Sequence, residues 1–378
     1  MDNGACMKRV ILSGGGTGGH IYPAITIAKE IEKIENVEFL FVGTPNGMEA
    51  EIVTKEGYNF SPISVSGLKR KFTAENIKIL TKAIGSLFEA KKILNQFKPD
   101  VVIGTGGYVC GPILMAAALS HIPTLIQEQN VIPGITNKIL SHVVNRIAVG
   151  YKEAAFKFPH REKCIYTGNP IRPTIIKAQR VESRLKMGIP ASDFMILVTG
   201  GSRGAKTINQ AMIGVHKYFK NKSGVYIHHV TGHLAYDEII KDLGEVKEGT
   251  YGKGSHIIEY EYDMPAALAA ADLIICRAGA ISLSELAAKE LPSILIPYPY
   301  AAEDHQTFNA RVFVSAGAGK MIVDKYVTDV ELIQDIEDLH NNPDALIMMS
   351  EAAKRIKNIH AGANIANLAL TLAERGEI

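Results

Sequence analysis

The chain has 378 residues, of which 47% are hydrophobic and 21% charged, and its formal net charge is +2. This length exceeds one average domain core, so we expect two domains of about 150–200 residues each. The near balance of 41 basic and 39 acidic side chains argues against a broadly basic surface, and therefore against a nucleic-acid partner.

We expect neither a secretory leader nor a membrane-spanning segment. The longest apolar candidate, 266–276, contains Asp272 and is shorter than the ~18 uninterrupted apolar residues that a bilayer requires. The cysteines are scattered and form no Cys-x-x-Cys pair: Cys6, Cys110, Cys164 and Cys276. Reduced thiols in a cytosolic protein are therefore expected.

Short β-branched runs alternate with helical patterns along the chain, which predicts parallel sheets covered on both faces. The predicted strands are Val10–Ser13, Val37–Val42, Val101–Gly104, Thr124–Gln127, Arg146–Val149, Phe194–Thr199, Tyr226–Val230, Ile257–Tyr260, Leu273–Cys276 and Ser293–Ile296. The pattern restarts after residue 170, so the predicted fold class is α/β with two doubly wound Rossmann-like domains and a ligand cleft. An alanine-rich helical region, 345–375, ends the chain, with a predicted interruption at Gly362.

The first predicted strand runs into a glycine turn, GGGTGG (14–19), followed by His20. Such a turn presents backbone N–H groups at a helix start, where an anion such as phosphate is expected. The spacing satisfies the dinucleotide fingerprint, but the second strand ends FVGT (41–44) without the carboxylate that would hold a ribose. A tight strand–helix connection without a ligand remains an alternative.

The second half repeats this arrangement, with MILVTGGSRG (195–204) echoing the opening strand and turn. The segment resembles the P-loop that binds nucleoside triphosphates, but it lacks the glycine that should precede Lys206. A third turn, RAGAISLSE (277–285), follows a buried strand. There Ser282 or Ser284 can cap a helix, and Glu285 can accept hydrogen bonds from a ribose diol or act as a capping glutamate.

Seven motifs in order carry a family resemblance: GGGTGGH, GTGGYVCGP, QEQNVIPGITNK, GNPIR, GGSRGAKTIN, RAGAISLSE and EDHQTFNA. Together they resemble the MurG family of bacterial glycosyltransferases, which add N-acetylglucosamine to lipid-linked muramyl-pentapeptide, and the similarity spans essentially the whole chain. The resemblance implies a GT-B fold whose domains face across a cleft. It implies an acceptor- and membrane-side domain over 1–168, a donor domain over 169–356 and a final helix, about 357–378, that packs back on the first domain.

The resemblance also implies roles for individual residues. It assigns Ser202 to the diphosphate of UDP-N-acetylglucosamine, Glu285 to the ribose, the backbone of Glu261 to uracil, and Gln306, Ala280 and Ile281 to the sugar. Arg172 matches a further donor-binding position, and Thr17, Gly18, Gly19 and Asn130 match residues that reach the sugar from the other domain.

Two residues compete for the role of general base. His20 beside the glycine turn can accept the acceptor's hydroxyl proton, since an imidazole titrates near ~6.5 in water, or it can merely order the loop. Glu128, flanked by polar residues, is the rival base. Tyr108 is expected to line the acceptor pocket, although a core position is also compatible with its sequence context.

Neither a metal nor another cofactor is expected. No Asp-x-Asp pair is present, and the closest segment, 261–263, begins with glutamate. Backbone N–H groups at the turns and helix starts can receive the charge of the departing diphosphate instead.

The segment between Phe60 and Lys98 carries eight basic residues against Glu75 and Glu89, a net of +6. An apolar stripe, Ile77, Leu80, Ile84 and Leu87 with Phe88 and Leu94 beside it, accompanies this charge. The combination favours contact with an anionic membrane surface at the cytoplasmic face, or else the stripe is the inward face of a domain. A related transferase, a UDP-sugar epimerase and a non-catalytic nucleotide-sugar sensor are the competing functions.

Overall fold

The structure, a computed structural model, describes residues 7–65, 75–201 and 203–375, and for residues 75–84 and 375 it describes the backbone alone. The chain divides into two compact units, Met1–Arg172 with Ile359–Ile378 (unit 1) and Pro173–Asn358 (unit 2). The sequence predicted that the first domain ends at residue 168 and the second at residue 356. None of the helices within the described ranges is long and apolar enough to cross a bilayer.

Unit 1 is built on a parallel sheet. Its strands are β1 (Lys8–Ser13), β2 (Val37–Gly43), β3 (Asn59–Pro62), β4 (Val101–Gly104), β5 (Thr124–Glu128), β6 (Arg146–Val149) and β7 (Cys164–Tyr166). The helices that connect them are α1 (Gly18–Glu32), α2 (Met48–Lys55), α3 (Glu75–Phe97), α4 (Cys110–Leu119) and α5 (Ile135–Leu140), with 3-10 turns at Lys152–Lys157 and Arg161–Lys163. The strand order is β3-β2-β1-β4-β5-β6-β7, so the chain reverses its direction of winding between β1 and β4.

Unit 2 repeats this plan. Its helices are α6 (Pro173–Lys177), α7 (Arg180–Met187), α8 (Lys206–Phe219), α9 (Tyr236–Leu243), α10 (Met264–Ala270), α11 (Ala280–Ala288), α12 (His305–Ser315), α13 (Asp329–His340) and α14 (Pro343–Ile356). Its strands are β8 (Phe194–Thr199), β9 (Val225–Val230), β10 (Thr250–Tyr251), β11 (Ser255–Ile258), β12 (Leu273–Cys276), β13 (Ser293–Leu295) and β14 (Gly319–Met321), with 3-10 turns at Ala302–Asp304 and Asp324–Tyr326. The order is β10-β11-β9-β8-β12-β13-β14, and only the short β10 runs antiparallel to its neighbour among the described strands.

Both faces of each sheet are covered, as the continuous apolar strands predict. Val10 and Leu12 join the core beneath α1, whereas Ile11 between them joins the core on the opposite face. This alternation follows from the two-residue period of a strand. The predicted fold class, two doubly wound α/β units, is therefore confirmed.

The last helix, α15 (Ala361–Arg375), belongs to unit 1. Ile365, Ala366 and Leu372 are completely buried in the core that α1 covers. The predicted helical region 345–375 is interrupted at 357–360, between α14 and α15, and not at Gly362. Gly362 lies in the first turn of α15, where a Cβ would stand 2.9 Å from Cγ of Glu30, so its small size serves helix packing.

The sequence patterns missed the short strands β3, β7, β10 and β14, which lie at or near the sheet edges. Strands of two to four residues carry too few apolar side chains for a pattern to develop. The predicted strand at 257–260 was also displaced, because β11 spans Ser255–Ile258 and the chain leaves the sheet at Glu259.

Candidate active site

The predicted turns lie at the point where each sheet changes its direction of winding. The glycine turn 14–19 follows β1 and the segment 105–109 follows the neighbouring β4. In unit 2 the turn 200–205 follows β8, and 277–279 follows the neighbouring β12. Crevices at such switch points, outside the carboxyl ends of the strands, are where open α/β sheets bind ligands.

The turn after β8 requires glycine for two reasons. Gly201 and Gly204 have φ angles of 87° and 73°, in the left-handed region that disfavours residues with a Cβ. A Cβ on Gly204 would also collide with the carbonyl oxygen of Thr231. Helix α8 begins just beyond, with Ala205 as its N-cap and no cap from a described side chain, so its first N–H groups point into the turn. Ser202, the predicted diphosphate ligand, lies outside the described residues.

Helix α11, like α8, begins without a side-chain cap from a described residue. Gly279 is its N-cap, with no capping bond from a described side chain, and Ala280 and Ile281 are its first two residues. The predicted serine cap is therefore wrong, and the Ser284 hydroxyl instead donates to the Ala280 carbonyl at 3.0 Å. Glu285 lies in the second turn and is 6% exposed.

A hydrogen-bonded group ties the start of α11 to that of α8. The carboxylate of Asp324 accepts from the Arg277 guanidinium at 2.5 Å and from the Thr207 hydroxyl at 3.0 Å. Nearby, Oε1 of Gln306 accepts the backbone N–H groups of Ala278 at 3.2 Å and Tyr298 at 2.9 Å. A contact between Gln306 and a sugar would therefore use the nitrogen of its amide.

The carboxylate of Glu261 makes two hydrogen bonds, which hold this residue in place. Its Oε2 lies 2.8 Å from Nε2 of the buried His228, and its Oε1 accepts the N–H of Asp263 at 2.6 Å. The hydrogen bond from His228 is the largest influence on the pKa of Glu261, and that pKa is lowered despite partial burial.

In unit 1 the opening turn is closely packed. A Cβ on Gly14 would collide with the Thr105 hydroxyl, and one on Gly107 would collide with the carbonyl oxygen of Gly15. Gly16 has a φ of 83°, and Thr17 is the extended N-cap of α1. Backbone segments after β1 and β4 thus lie against each other, which requires glycine whether or not a ligand is bound.

His20 lies in the first turn of α1 and is half-buried. Its Nδ1 is 2.9 Å from the carbonyl oxygen of Gly15, and the backbone carbonyl oxygen of His20 accepts the Thr105 hydroxyl at 2.7 Å. Because a carbonyl oxygen only accepts hydrogen bonds, we assign the imidazole hydrogen to Nδ1, and the neutral ring then carries its lone pair on Nε2.

Glu128 has a different environment from His20. It is 1% exposed, and both carboxylate oxygens accept hydrogen bonds. Oε1 accepts the backbone N–H and side-chain amide of Asn130 at 2.9 and 3.2 Å. Oε2 accepts the N–H of Gly134 at 3.1 Å and the side-chain amide of Asn137 at 2.7 Å. These contacts fix the loop that presents Asn130.

Tyr108 is 45% exposed and lines a cavity of about 630 Å³ in unit 1. Thr44 and Asn46, just beyond the carboxyl end of β2, contribute to the same wall, as do Ser64 beyond β3 and Glu89 of α3. The lining therefore combines hydroxyl, amide and carboxyl side chains with glycine, proline and valine.

Comparison with known proteins places this geometry in a family. The model of the glycosyltransferase family 28 N-terminal domain matches residues 10–149, and that of the C-terminal domain matches residues 195–364. A UDP-N-acetylglucosamine–N-acetylmuramyl-(pentapeptide) pyrophosphoryl-undecaprenol N-acetylglucosamine transferase of Thermoanaerobacter sp. (strain X514) is 47% identical over 95% of this chain and 98% of its own length. The crystal structure of Acinetobacter baumannii MurG matches with a TM-score of 0.76 and 27% identity, over 96% of this chain and 99% of that one. The chain belongs to the MurG family.

The family assignment confirms the predicted resemblance and the predicted class of enzyme, a glycosyltransferase. The fold is shared more widely than the MurG family. UDP-GlcNAc 2-epimerase from Neisseria meningitidis bound to UDP-GlcNAc has a TM-score of 0.67 at 16% identity, over 97% of this chain and all of that one. At this identity the likeness concerns the fold alone.

In unit 1, the predicted site residues that begin α1 and the one that follows β5 lie at the same edge of the sheet. Thr17, Gly18, Gly19 and His20 begin α1, and Asn130 follows β5 on the same edge of the sheet. Arg172, the last residue before unit 2, is also near α1. Its guanidinium lies 5.2 Å from the centroid of the Tyr22 ring, and a Cβ on Gly18 would stand 3.2 Å from that ring.

Sequence reasoning missed three residues that hold these MurG-family segments in place: Glu49, His228 and Asp324. Each binds a partner more than 30 positions away along the chain. No local pattern marks such a residue, because its role depends on which strands become neighbours.

Proposed function

We propose that this protein transfers N-acetylglucosamine from UDP-N-acetylglucosamine to the C4 hydroxyl of undecaprenyl-pyrophosphoryl-MurNAc-pentapeptide, with inversion at the anomeric carbon. The observation that carries the proposal is the 47% identity, over 95% of the chain, with a transferase named for this reaction. The product is the disaccharide lipid from which peptidoglycan is assembled.

In the proposed step, the acceptor oxygen bonds to the anomeric carbon as the bond between that carbon and the diphosphate oxygen breaks. The electron pair of the broken bond leaves with UDP, and the hydroxyl proton passes to Nε2 of His20. The hydrogen bond from Nδ1 to Gly15 supports this role, since it leaves Nε2 as the basic nitrogen of the neutral ring.

Glu128 fits the role of a positioning residue better than that of the base. Its carboxylate accepts four hydrogen bonds, three from the loop after β5 and one from the side-chain amide of Asn137 in α5. Both carboxylate oxygens are therefore engaged in holding this segment in place. Glu128 would then act through Asn130, whose amide is proposed to reach the donor sugar.

The donor is proposed to bind chiefly to residues of unit 2. The N–H groups at the starts of α8 and α11, with the Ser202 hydroxyl, would receive the diphosphate, as partial positive charges at helix N-termini favour an anion. Glu285 would hold the ribose and the backbone of Glu261 the uracil. The remaining proposed donor contacts are Thr17, Gly18, Gly19, Asn130, Arg172, Ala280, Ile281 and Gln306.

Catalysis is proposed to need no metal, because fixed N–H dipoles can stabilise the developing charge on the diphosphate. Turnover by the purified protein should be the same with and without EDTA. Loss of turnover in EDTA that Mg²⁺ restores would contradict this part of the proposal.

The lipid-linked acceptor is proposed to occupy the cavity beside Tyr108, with the protein bound peripherally to the anionic cytoplasmic face of the membrane. On α3, Leu94 packs into the core and Leu87 packs against it, whereas Phe88 is 71% exposed near the exposed Lys91 and Lys92. This outward face supports membrane contact. The side chains of Ile77, Leu80, Ile84, Lys78 and Lys82, and all of Lys69, Arg70 and Lys71, lie outside what the structure describes.

Co-sedimentation with anionic liposomes should weaken as salt is raised, because lysines near such a surface each contribute on the order of 1 kcal/mol. Absence of binding at every salt concentration would contradict the membrane proposal.

The decisive experiment follows radiolabel from UDP-N-acetylglucosamine into purified muramyl-pentapeptide lipid. The expected result is labelled disaccharide lipid and UDP release that depends on the acceptor. Epimer formation without acceptor would identify an epimerase, and donor binding without turnover would identify a sensor. Either outcome overturns the proposal.

A further inference from the structure

Besides Glu128, unit 1 has a buried carboxylate at the opening glycine turn that has no role in the proposed reaction. Glu49 is the second residue of α2 and is 2% exposed. A Cβ on Gly15 would stand only 2.6 Å from the carboxyl carbon of Glu49, so this side chain rests directly against the turn. A buried carboxylate is costly unless hydrogen bonds compensate its lost hydration.

Glu49 receives such hydrogen bonds from two segments. Its Oε1 accepts the backbone N–H and the hydroxyl of Thr44 at 3.0 and 2.6 Å, and its Oε2 accepts the N–H of Gly16 at 3.2 Å. Burial, the largest single influence, raises the pKa of Glu49, but the hydrogen bonds from Thr44 and Gly16 outweigh it and lower the pKa below its usual value. The side chain is therefore an anion at neutral pH.

The position of this anion changes the interpretation of the first turn. The sequence predicted that a bound phosphate would receive the N–H groups of 14–19. In the structure the N–H of Gly16 is already bonded to the chain's own carboxylate. The turn is thus stabilised from within the protein.

The N–H of Gly16 and the carbonyl of Gly15 belong to one planar peptide group and point in opposite directions. Glu49 holds the N–H end at 3.2 Å, and Nδ1 of His20 donates to the carbonyl end at 2.9 Å. A rotation of this peptide would break both hydrogen bonds together. The orientation of the imidazole therefore depends on the carboxylate on the far side of the peptide.

We propose that Glu49 is a positioning residue for the transfer reaction: it holds the Gly15–Gly16 peptide so that the Gly15 carbonyl keeps the hydrogen of His20 on Nδ1. The proposal rests on the proposed function, in which Nε2 of His20 accepts the acceptor's proton. It predicts that the carboxylate contributes to turnover without contacting either substrate.

Glu49→Gln tests the proposal with little change in shape. The amide oxygen can still accept from Thr44, but an NH₂ group then faces the N–H of Gly16, which loses its acceptor. We expect kcat to fall about 10- to 100-fold, as misplacement of a catalytic group commonly does. KM for the donor should change less than kcat, since Glu49 bonds to Thr44 and Gly16 and to none of the proposed donor contacts.

A nitrogen-15 NMR measurement of the imidazoles, without substrate, supplies a readout that a general loss of stability would not give. The signals of His20 are identified by their disappearance in His20→Asn. In Glu49→Gln they should move from those of one tautomer toward a mixture of the two.

Asp100→Asn is the matched control. The Asp100 carboxylate accepts the backbone N–H of Arg9 at 2.7 Å, but it does so at the amino ends of β1 and β4. The same acid-to-amide change there should alter kcat by less than about twofold and leave the His20 signals unchanged. If Glu49→Gln does not fold, Glu49→Asp, which retains the charge but shortens its reach, should give the same changes in smaller amount.

Unchanged His20 signals in a folded Glu49 variant would overturn the proposal, whatever happens to kcat. So would a kcat within about twofold of wild type. Since the NMR signals need no substrate, a wild-type protein without transferase activity would refute the proposed function separately from the Glu49–His20 connection.

Discussion

His20 and Glu128 lie on the same edge of the unit 1 sheet, yet their environments differ at the scale of single atoms. Glu128 is 1% exposed and accepts four hydrogen bonds, whereas His20 is half-buried and donates from Nδ1 to a backbone carbonyl. Both residues have polar or glycine-rich neighbours in the sequence, which leaves the choice of base open. The hydrogen-bond pattern favours His20.

A pH profile of kcat/KM separates the two roles. His20→Ala should reduce kcat about 10²- to 10⁴-fold, the usual contribution of a general base, and should remove the acidic limb of the profile. Glu128→Gln should lower activity by loosening the loop of Asn130 but should keep that limb. An acidic limb that persists in His20→Ala and vanishes in Glu128→Gln would reverse the assignment.

Another residue-scale feature is a chain of buried imidazoles in unit 2. His216 Nδ1 lies 2.9 Å from the Ser255 hydroxyl, and its Nε2 lies 3.0 Å from Nδ1 of His229. Burial lowers the pKa of His216 to about 3 and lowers that of His229 well below its usual value. Both rings are therefore neutral in the folded protein at neutral pH.

The buried imidazoles predict a loss of stability in acid. Between pH 6.5 and about 3, the unfolded chain binds a proton at His216 that the folded chain does not, so the free energy of unfolding falls as pH falls through this window. His216 alone should cost about 2 kcal/mol between pH 7 and pH 5. Urea unfolding at both pH values should show this loss, and it should be smaller in His216→Gln.

His233→Gln provides the control for that measurement, because the His233 side chain is 55% exposed and paired with Glu259 at the surface. Its contribution should be small. An equal acid sensitivity in wild type and His216→Gln would show that other groups cause the loss.

At the scale of elements, the two helix starts of unit 2 are fixed by one carboxylate. Asp324 bonds to Thr207 at the start of α8 and to Arg277 just before α11. The side chains of Arg277 and Asp324 are only 13% and 15% exposed. Breaking such a pair leaves a largely desolvated cation without its partner, which is costly.

Asp324→Asn should therefore weaken UDP binding about tenfold, because the two helix starts proposed to hold the diphosphate would no longer be joined by a charged group. Isothermal calorimetry with UDP measures this directly. Asp335→Asn makes the same change at a carboxylate that is 19% exposed and pairs with the more exposed Lys320. Asp335 lies within α13 and bonds to neither helix start, so the UDP affinity of this variant should equal that of wild type. Equal affinities in all three proteins would contradict the prediction.

At the scale of the whole molecule, the segment that completes unit 1 follows unit 2 in the sequence. Helix α15 follows more than 180 residues of unit 2, and it buries Ile365, Ala366 and Leu372 in the same core as Ile21 and Ile25 of α1. The stability of unit 1 therefore depends on the last segment of the sequence.

Ile365→Ala should lower the stability of unit 1 by about 2–5 kcal/mol, the usual cost of a large-to-small change at a fully buried site. Hydrogen exchange should show faster opening in β1, β2 and β4, with the strands of unit 2 unchanged. Ile347→Ala, at a position of α14 that is 59% exposed, should change stability by less than about 0.5 kcal/mol. Faster exchange confined to α15 would show that it does not support the core.

The predictable part of this protein lies in its longer apolar runs and its glycine turns. The strands from Val10 and from Phe194, with the turns that follow them, were correctly located because apolar residues and glycines are local signals. The cap of α11 was wrong, since Gly279 rather than Ser282 or Ser284 begins the helix, and a serine pattern alone does not reveal which residue takes the extended conformation. The role of Gly362 was also wrongly predicted. It is small because Glu30 of α1 packs against it, and that contact is not visible in the local sequence.

The sequence by itself determined the α/β class, the duplication of a strand–turn–helix unit and, through its motifs, membership of the MurG family. Tertiary structure alone decided that Glu49 lies beneath the first glycine turn, that Glu128 is enclosed by its own loop and that Asp324 joins two helix starts. The physical reason is the distance along the chain over which each kind of interaction acts. Local propensity and periodicity act over a few residues, whereas a buried charge is explained only by donors that the folding of the sheet brings to it from elsewhere in the chain.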